Sequence, residues 1–302
     1  MAAGALSRPV ARRRRRPRPS RVLRYVILSA GAVLFVAPFV YMVSSSFQPQ
    51  SEIFSYPPKW IPSNPTLDNY RQFFGSGHQI GRWILNSTIT TGAITVAQLF
   101  FSSLMAYTFA KRRFPGRDFL FFLLLATLML PIQVTVIPNY IILKVIPLAG
   151  GNDLMGVGGH GWLDSYWGVI VPNLVSAFGI FLLRQYMKSI PDELLDAARM
   201  DGAGHFRIYW KVILPLSRPA LAALAIFTFQ FWWAAFFWPL IVVSSPELYT
   251  LPLGLALFQE QNRTVWNLIM AGSVLASLPL IVVFLLFQRQ FVRGISVSGL
   301  KG

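Results

Sequence analysis

Six long apolar segments alternate with polar ones along the chain. They cover residues 22–43, 84–110, 119–143, 166–183, 221–243 and 266–287. A helix of about 20 apolar residues spans the hydrocarbon core of a bilayer, and each segment is close to that length. The pattern predicts an all-α polytopic integral membrane protein with six transmembrane helices over 22–291, between a disordered basic tail (1–21) and a second tail (292–302). A cleaved signal peptide is the alternative for the first segment, but that run exceeds a usual signal core and five further segments follow it.

Two prolines interrupt the third apolar segment. Pro131 and Pro138 predict a broken helix, which membranes tolerate where the irregular backbone lines a cavity. Amide side chains in the apolar segments are therefore candidates for a substrate pathway: Asn86, Gln133, Asn139, Asn173 and Gln230. In the Ser- and Thr-rich start of the second segment, close helix packing is the competing interpretation. The many aromatic residues of the fifth segment are expected mainly to pack or to face lipid.

One long polar segment, residues 189–219, stands between the fourth and fifth apolar segments. It holds four of the eleven acidic residues of the chain. Ser189 followed by Asp192 predicts a helix start, and Asp201-Gly202 predicts a turn after that helix. The next helix is predicted to bury one face, because its apolar residues recur at i, i+3, i+4 and i+7. These residues are Phe206, Tyr209, Trp210 and Ile213.

The composition agrees with a membrane protein and excludes several kinds of site. Of the 302 residues, 54% are hydrophobic and 13% are charged, whereas an ordinary soluble domain has about 25% charged residues. The chain has no cysteine, so disulfides and thiolate metal sites are impossible, and its three histidines are far apart in sequence. We expect no catalytic residues and no metal or cofactor bound by this chain.

The basic residues are distributed by side of the membrane. A net charge of +16 would suggest nucleic acid as the partner of a soluble protein, but all except five of the 27 lysines and arginines lie in residues 1–24, 111–117, 184–218 and 289–302. Basic residues are enriched in cytoplasmic loops. The bias therefore predicts a multi-pass protein of the cell (inner or plasma) membrane with both termini and residues 189–219 in the cytoplasm. No nucleic acid is needed to explain the charge, and the first tail would contact the anionic lipid bilayer.

Ionisable residues are absent from the interiors of the six segments. Ion- and proton-driven carriers usually place such residues inside the membrane, which argues against a stand-alone secondary carrier. The sequence also lacks the G-x-x-x-x-G-K-[ST] loop that cradles the phosphates of ATP. If the chain moves a solute uphill, another chain must supply the energy at the cytoplasmic face, where residues 189–219 are the only sizeable structure between spans.

The polar segment resembles the signature "EAA" loop of ABC importer permeases, the binding-protein-dependent transport inner membrane components. Pro191–Ala203 follow P-x-E-L-x-E-A-A-x-x-D-G-A, the form typical of carbohydrate (maltose-type) importers, and Ile213-Leu214-Pro215 follow it. Asp196 replaces the leading Glu of the motif and keeps its charge. The loop over 47–82 carries further elements similar to those of such permeases, so the resemblance extends from the first span to the last. A docking surface for a substrate-delivery protein is one interpretation of that loop, and a simple connector is the other.

The resemblance implies that residues 193–208 form a cytoplasmic coupling helix seated in a groove of an ATP-hydrolysing subunit. Asp196 would face basic residues there, the alanine pair would permit close approach, and Gly202 would supply the turn. Phe206 and Tyr209 would pack at the interface or against the spans. The coupling residues would be Glu193, Asp196, Ala197, Ala198, Asp201, Gly202, Ala203, Phe206, Tyr209, Leu214 and Pro215. The alternative is an ordinary surface helix.

The resemblance also implies the function and the partners. The chain would be no enzyme but one permease subunit of a heterodimer, forming half of the translocation pathway for a sugar or oligosaccharide. Two ATP-binding cassette subunits would hydrolyse ATP with Mg²⁺, and an extracytoplasmic solute-binding protein would deliver the solute. The alternatives are an importer for another solute, such as glycerol-3-phosphate or a polyamine, a stand-alone secondary carrier, and a non-transporting membrane scaffold.

Overall fold

The computed structural model describes residues 19–259 and 264–298, with side chains over 23–259 and 264–288. Most of these residues are helical, and the structure that they show contains no strand beyond one isolated bridge between Gln259 and Thr264. The predicted all-α class is confirmed. The tails are shorter than predicted, because residues 19–21 already belong to the first helix and the last helix continues to Ser298. The remaining tail residues, 1–18 and 299–302, lie outside the described ones.

Fifteen α-helices within the described ranges are numbered in chain order. They are α1 (Pro19–Ser45), α2 (Gln50–Ile53), α3 (Asp68–Gly75), α4 (Ile80–Lys111), α5 (Arg117–Thr127), α6 (Ile132–Lys144), α7 (Tyr166–Ile170), α8 (Ala177–Lys188), α9 (Glu193–Met200), α10 (His205–Ile208), α11 (Leu214–Leu216), α12 (Arg218–Trp233), α13 (Phe237–Val242), α14 (Leu251–Leu255) and α15 (Trp266–Ser298). Short 3₁₀ turns lie at Val171–Asn173, Pro246–Leu248 and Ala256–Phe258, and a π-helical turn lies at Tyr209–Ile213.

Four helical stretches of the described chain are long and apolar enough to cross a membrane. They are Leu23–Ser45, Ile80–Lys111, Tyr166–Lys188 and Trp266–Gln288. Two further pairs pass the same test only as bent spans: α5 with α6, bent by 99°, and His205–Leu216 with α12, bent by 76°. Counting each pair as one span gives six, although His205–Leu216 belongs to the polar segment 189–219 and α12 is the apolar part of the second pair. The second and fourth spans are longer than the apolar pattern predicts, because their helices continue through the polar residues that flank the apolar run.

The third span is broken as predicted, but at one proline only. The helix stops after Thr127, and Pro131 caps the next helix with extended backbone (φ −61°, ψ 138°). Pro138 lies inside α6 without ending it. Proline is tolerated at a helix start because its missing N–H has no partner there in any case.

The fifth span is not the continuous helix predicted over 221–243. The helix α12 begins at Arg218 and ends at Trp233, and α13 follows after a short break. Pro239 explains the break, because a proline lacks an N–H and its ring clashes with the carbonyl group four residues earlier, here that of Ala235. The backbone freed in this way lies on the wall of a cavity described below.

The long helix α4 lies at the centre of the bundle and packs against α8 and α12. Its buried side chains include many small hydroxyl residues, which let helices approach closely. In contrast, the apolar stretch of α1 that is long enough to cross a membrane has no buried residue, and this helix contacts mainly α15. The apolar surface of α1 therefore faces lipid or another chain.

Candidate functional site

Residues 189–219 fold against a group of buried side chains at one end of the bundle, which we call the loop core. It consists of Ala106, Tyr107, Leu183, Met187, Ile190, Leu195, Ile208, Tyr209, Ile213, Ala220 and Leu224. In α9, Leu195 is the buried residue, with 1% of its surface exposed. Ala198 packs against the loop core from a half-buried position. The rest of α9 points away from the bundle, so this helix is attached along one narrow stripe.

The turn after α9 explains the spacing of the signature motif. Gly202 has φ +77°, a left-handed conformation that favours glycine. Its N–H donates to the carbonyl oxygen of Arg199, and the N–H of Ala203 donates to that of Ala198, both at 2.9 Å. This pair of bonds is the Schellman motif, which satisfies the last carbonyl groups of a helix. Ala198 and Ala203 both pack against the loop core, so the motif also fixes the direction in which the chain leaves the helix.

The start of α9 differs from the prediction. Ser189 does not cap this helix, because its hydroxyl donates to the carbonyl oxygen of Tyr186 at 2.7 Å, at the end of α8. Asp192 occupies the N-cap position without a capping hydrogen bond and instead accepts from Lys111 Nζ at 2.7 Å. The hydrogen bond from Lys111 lowers the pKa of Asp192 below its usual value. Lys111, the last residue of α4, therefore connects the central helix to the start of α9, the first of the helices within residues 189–219, which we call the loop helices (α9, α10 and α11).

The helix after the turn does not bury the single face that the sequence predicts. Tyr209 and Ile213 are buried, whereas 65% of Phe206 and 49% of Trp210 are exposed. The π-helical turn over Tyr209–Ile213 is the physical reason, because one extra residue in a turn shifts the faces on either side of it. The hydroxyl of Tyr209 lies 2.8 Å from Ser103 Oγ, so this ring points into the bundle.

The structure separates the predicted coupling residues into three sets. The exposed set is Glu193, Asp196, Ala197, Asp201, Gly202 and Phe206; the half-buried set is Ala198, Ala203, Leu214 and Pro215; Tyr209 alone is buried. The coupling helix implied over 193–208 is in fact two helices, because Gly202 ends the first of them. Of the two places considered for Tyr209, the structure selects packing against the spans.

Asp196 lies on the exposed face of α9. Its carboxylate accepts a hydrogen bond from Arg199 Nη1 at 2.7 Å, and both side chains are about half exposed or more, at 65% and 45%. Exposed ion pairs of this kind contribute at most about 1 kcal/mol. The carboxylate can therefore exchange Arg199 for a basic group of another protein at little cost.

A cavity of about 950 Å³ lies between the start of α6, the 3₁₀ turn at Val171–Asn173 and the second half of α12. It brings together three of the five predicted pathway residues: Gln133, Asn173 and Gln230. Aromatic side chains of the fifth span form much of the remaining wall, among them Phe231, Trp232, Phe236, Phe237 and Trp238. These aromatics were expected mainly to pack or to face lipid. No Asp, Glu, Lys or Arg is among the described residues that line this cavity.

The other two predicted pathway residues do not line this cavity. Asn86 is fully buried, and its amide donates to the carbonyl oxygens of Glu247 and Tyr249 at 2.8 and 2.9 Å. Its own carbonyl oxygen accepts from the hydroxyl of Tyr166 at 2.5 Å. Asn86 therefore joins α4 to the segment before α14, which is the packing role weighed against the pathway. Asn139 is half-buried on α6, away from the cavity wall.

Gln98 is a cavity residue that the sequence argument missed. It is 6% exposed, donates to the carbonyl oxygen of Asn173 at 2.8 Å and accepts from the hydroxyl of Thr228 at 3.2 Å. These bonds join α4, the 3₁₀ turn and α12 at one point of the wall. The available signal was an amide in the middle of the second apolar segment, where an unpartnered polar group is costly.

The chain is similar to a known protein family and to two known permease proteins. Residues 98–297 match the family model described as "Binding-protein-dependent transport system inner membrane component". The chain is 36% identical over 273 residues to the arabinooligosaccharides transport system permease protein AraQ of Bacillus subtilis (strain 168), covering 90% of this chain and 92% of that protein. It is also 36% identical over 279 residues to the sn-glycerol-3-phosphate transport system permease protein UgpE of Yersinia pestis, covering 90% and 94%.

Two solved structures share the fold. A chain from a bacterial ABC transporter involved in the import of the acidic polysaccharide alginate superposes with a TM-score of 0.74, at 23% identity, covering 94% of this chain and all of that one. A chain from a bacterial alginate ABC transporter in complex with an alginate pentasaccharide-bound periplasmic protein gives a TM-score of 0.64, at 14% identity, covering 91% and 95%.

Proposed function

This chain belongs to the family of binding-protein-dependent transport system inner membrane components. We propose that a separate ATPase subunit drives its conformational changes by binding to the surface that α9 exposes. The observation that carries the proposal is the attachment of α9. The buried side of this helix is held by Leu195 and by the Schellman turn, while its opposite side is free. A helix held in this way moves with the bundle rather than independently of it, so force applied to its free face reaches the spans.

ATP-driven closure of two ATP-binding cassette subunits would then displace the loop helices and switch the pathway between inward and outward access. Hydrolysis of ATP with Mg²⁺ belongs to those subunits, since this chain has no phosphate-binding loop. Asp196, Ala197 and Phe206 are the exposed members of the signature segment that we assign to the contact.

The substitution Asp196→Lys tests this assignment. It reverses the charge of an exposed side chain, so the protein should insert and fold, but association with the ATPase subunit and solute uptake should be lost. Asp68→Lys is the matched control for copurification, because Asp68 also pairs with an arginine three residues later and is also exposed, but begins α3. Copurification of the ATPase subunit and uptake into vesicles are the measurements, and normal values for Asp196→Lys would remove the assignment.

We further propose a sugar or oligosaccharide as the solute. Its support is the cavity wall, where aromatic rings and the amides of Gln133, Asn173 and Gln230 are combined without an ionised group among the described residues. Rings and amides suit the faces and hydroxyl groups of a neutral polyol. AraQ, whose name refers to arabinooligosaccharides, is similar to the chain over 90% of its length.

Glycerol-3-phosphate is the second candidate, because UgpE is similar to the chain to the same degree. An ionised phosphate is bound most strongly by a cationic side chain, and no Lys or Arg is among the described residues that line the cavity. Uptake of a radiolabelled neutral oligosaccharide and of radiolabelled glycerol-3-phosphate, each delivered by the cognate solute-binding protein, separates the two. Preferential uptake of glycerol-3-phosphate would contradict the neutral solute.

The remaining partners follow from the same proposal. A second permease subunit would complete the pathway in a heterodimer, and the exposed helix α1 and the open cavity offer it apolar surface. An extracytoplasmic solute-binding protein would dock at the end of the bundle opposite to α9. This arrangement puts both termini in the cytoplasm and the chain in the inner or plasma membrane.

A further inference from the structure

Lys111 keeps a charged side chain almost entirely out of solvent at the end of α4. Only 4% of this side chain is exposed. A buried ammonium group is costly unless acceptors surround it. Its Nζ donates to the carbonyl oxygen of Ile190 at 2.5 Å and to the carboxylate of Asp192 at 2.7 Å. Lys111 is therefore engaged in a specific connection and is not an ordinary residue of the basic turn that follows it.

Both acceptors belong to the short link that leads from α8 into α9. Ile190 is itself buried in the loop core, and Asp192 is the residue from which α9 begins. An ammonium group has three N–H donors and no acceptor. Because both oxygens bind the same Nζ, Lys111 fixes the position of the Ile190 carbonyl group relative to the Asp192 carboxylate. Lys111 thus determines where α9 starts, while Leu195 determines which face of that helix is buried.

A second connection lies on the same stripe of α4. Ser103, Tyr107 and Lys111 are spaced by four residues each and so share one side of the helix. Ser103 Oγ lies 2.8 Å from the hydroxyl of Tyr209, and the rings of Tyr107 and Tyr209 are 5.5 Å apart. One side of α4 therefore contacts both the start of α9 and the helix that follows the turn.

The opposite end of α4 is bonded just as closely to the segment around α14. Trp83 Nε1 donates to the carbonyl oxygen of Pro246 at 3.0 Å, and Ser87 Oγ accepts from the N–H of Leu251 at 2.7 Å. Asn86 donates to two further carbonyl groups of this segment, at 2.8 and 2.9 Å. We call residues 246–251 the far segment. A helix of 32 residues is about 48 Å long, so α4 joins the loop helices to the far segment across the whole bundle.

We propose that Lys111 is a positioning residue for energy coupling: it holds the start of α9 against α4, so that a displacement of α9 moves α4 and, through it, the far segment. The inference rests on the coupling function proposed for α9. It adds the route by which events at α9 and at the opposite end of the bundle are linked. The same contacts also act in the reverse direction, because a displacement of the far segment moves α4 and therefore α9. A solute-binding protein docked near the far segment would therefore affect ATP hydrolysis through the same contact.

The experiment uses the complete importer in nanodiscs, with Lys111→Met, Lys111→Arg and Arg113→Met. Methionine keeps the length of the side chain and removes its charge, and arginine keeps the charge. Arg113 is the control for the loss of a positive charge, because it is exposed in the same basic turn and acts on Asp192 through its charge alone, with no hydrogen bond or ion pair among the described residues. The measured quantity is the stimulation of ATP hydrolysis by the solute-loaded binding protein. We expect about a tenfold loss of stimulation in Lys111→Met, retention of most of it in Lys111→Arg, and no change in Arg113→Met.

A distance measurement separates positioning from general damage. This chain has no cysteine of its own, so nitroxide labels at Met200→Cys and Pro115→Cys report the distance between α9 and the turn after α4 when the ATPase subunit, which would cover Met200, is left out. We expect a single narrow distribution in the parent protein and a broader one when Lys111→Met is added, while unlabelled Lys111→Met still copurifies with the ATPase subunit. Normal stimulation together with an unchanged distribution in Lys111→Met would overturn the proposal.

A second variant covers the case in which Lys111→Met does not assemble. Asp192→Asn removes the ion pair at a side chain that is 77% exposed, so its fold should be preserved. We expect a partial loss of stimulation, because Lys111 keeps the carbonyl group of Ile190. If Lys111→Met does not assemble and Asp192→Asn keeps the full stimulation of ATP hydrolysis, Lys111 serves folding rather than coupling, and the inference is refuted. Failure of the coupling function itself would appear separately, as an Asp196→Lys importer that keeps its ATPase subunit and its uptake.

Discussion

The turn at Gly202 permits a sharp test of why the signature motif requires glycine. Gly202 has φ +77°, and a Cβ atom added to it would meet nothing within 4 Å. The cost of alanine there is therefore conformational only, about 1–2 kcal/mol for a left-handed residue. Gly204 is the matched control two residues later, because it has φ −68° and ψ 164°, which any residue adopts, and open space for a Cβ.

Gly202→Ala strains the turn by this amount, and a chain that relieves the strain by leaving the left-handed conformation must restore the turn when the ATPase subunit binds. We therefore expect binding of the purified ATPase subunit to the complex to weaken by up to about 5- to 30-fold, the factor that corresponds to 1–2 kcal/mol. Gly204→Ala should bind as the parent does. The assay is the Kd of the ATPase subunit for the importer in nanodiscs, measured without nucleotide.

Asparagine at the same position distinguishes backbone strain from a clash with the partner. Asparagine tolerates the left-handed conformation better than alanine but is larger. If strain is the cause, Gly202→Asn binds more tightly than Gly202→Ala. If a clash with the ATPase subunit is the cause, the order is reversed. Equal binding by Gly202→Ala and Gly204→Ala would refute the explanation altogether.

Two further predictions concern the two ends of α4. Asn86→Leu should lower the thermal midpoint without changing solute selectivity, because the carbonyl group of Tyr249 and the hydroxyl of Tyr166 lose their hydrogen bonds to Asn86, at about 1–3 kcal/mol each. Asn139→Leu is the control, and altered selectivity at a normal midpoint would restore Asn86 to the pathway. The hydrogen bond from Lys111 lowers the pKa of Asp192. The pair therefore contributes its full stabilisation of the folded state above the ordinary pKa of a carboxyl group, and this stabilisation is lost only as the pH falls through the lowered pKa. The ratio of stimulation between the parent and Lys111→Met should thus be the same at about pH 6 and pH 8, and a ratio that falls towards unity at pH 6 would contradict this assignment.

The sequence predicts those parts of the fold that depend on local chemistry. Apolar runs locate the spans, and Gly202 locates the turn after α9, because hydrophobic length and backbone conformation are properties of neighbouring residues. The break at Pro131 is also predicted, since a proline has no N–H to donate. Pro138 shows the limit, because whether a proline kinks or ends a helix depends on the neighbours that pack around it.

The amide side chains show why the site is only partly predictable. Asn86 and Gln98 are both amides within the second apolar segment and lie on the same helix. Asn86 is hydrogen-bonded to carbonyl groups of a distant segment, whereas Gln98 lies on the cavity wall. The difference is set by which part of the chain crosses α4 at each level. Pairings between residues more than 70 positions apart decide it, and no periodicity in one sequence records them.

Exposed apolar side chains have different meanings on α1 and on the loop helices. On α1 they form a continuous apolar surface, which lipid or another membrane helix can cover. On the loop helices, 89% of Met200, 65% of Phe206 and 49% of Trp210 are exposed, but charged residues such as Asp196 and Arg199 stand between them. Charges exclude that surface from the hydrocarbon, and large apolar side chains make it unfavourable in water. A surface that combines charged with large apolar side chains is typical of protein interfaces, which have apolar anchors and a polar rim. This composition supports the proposed contact between the loop helices and another protein.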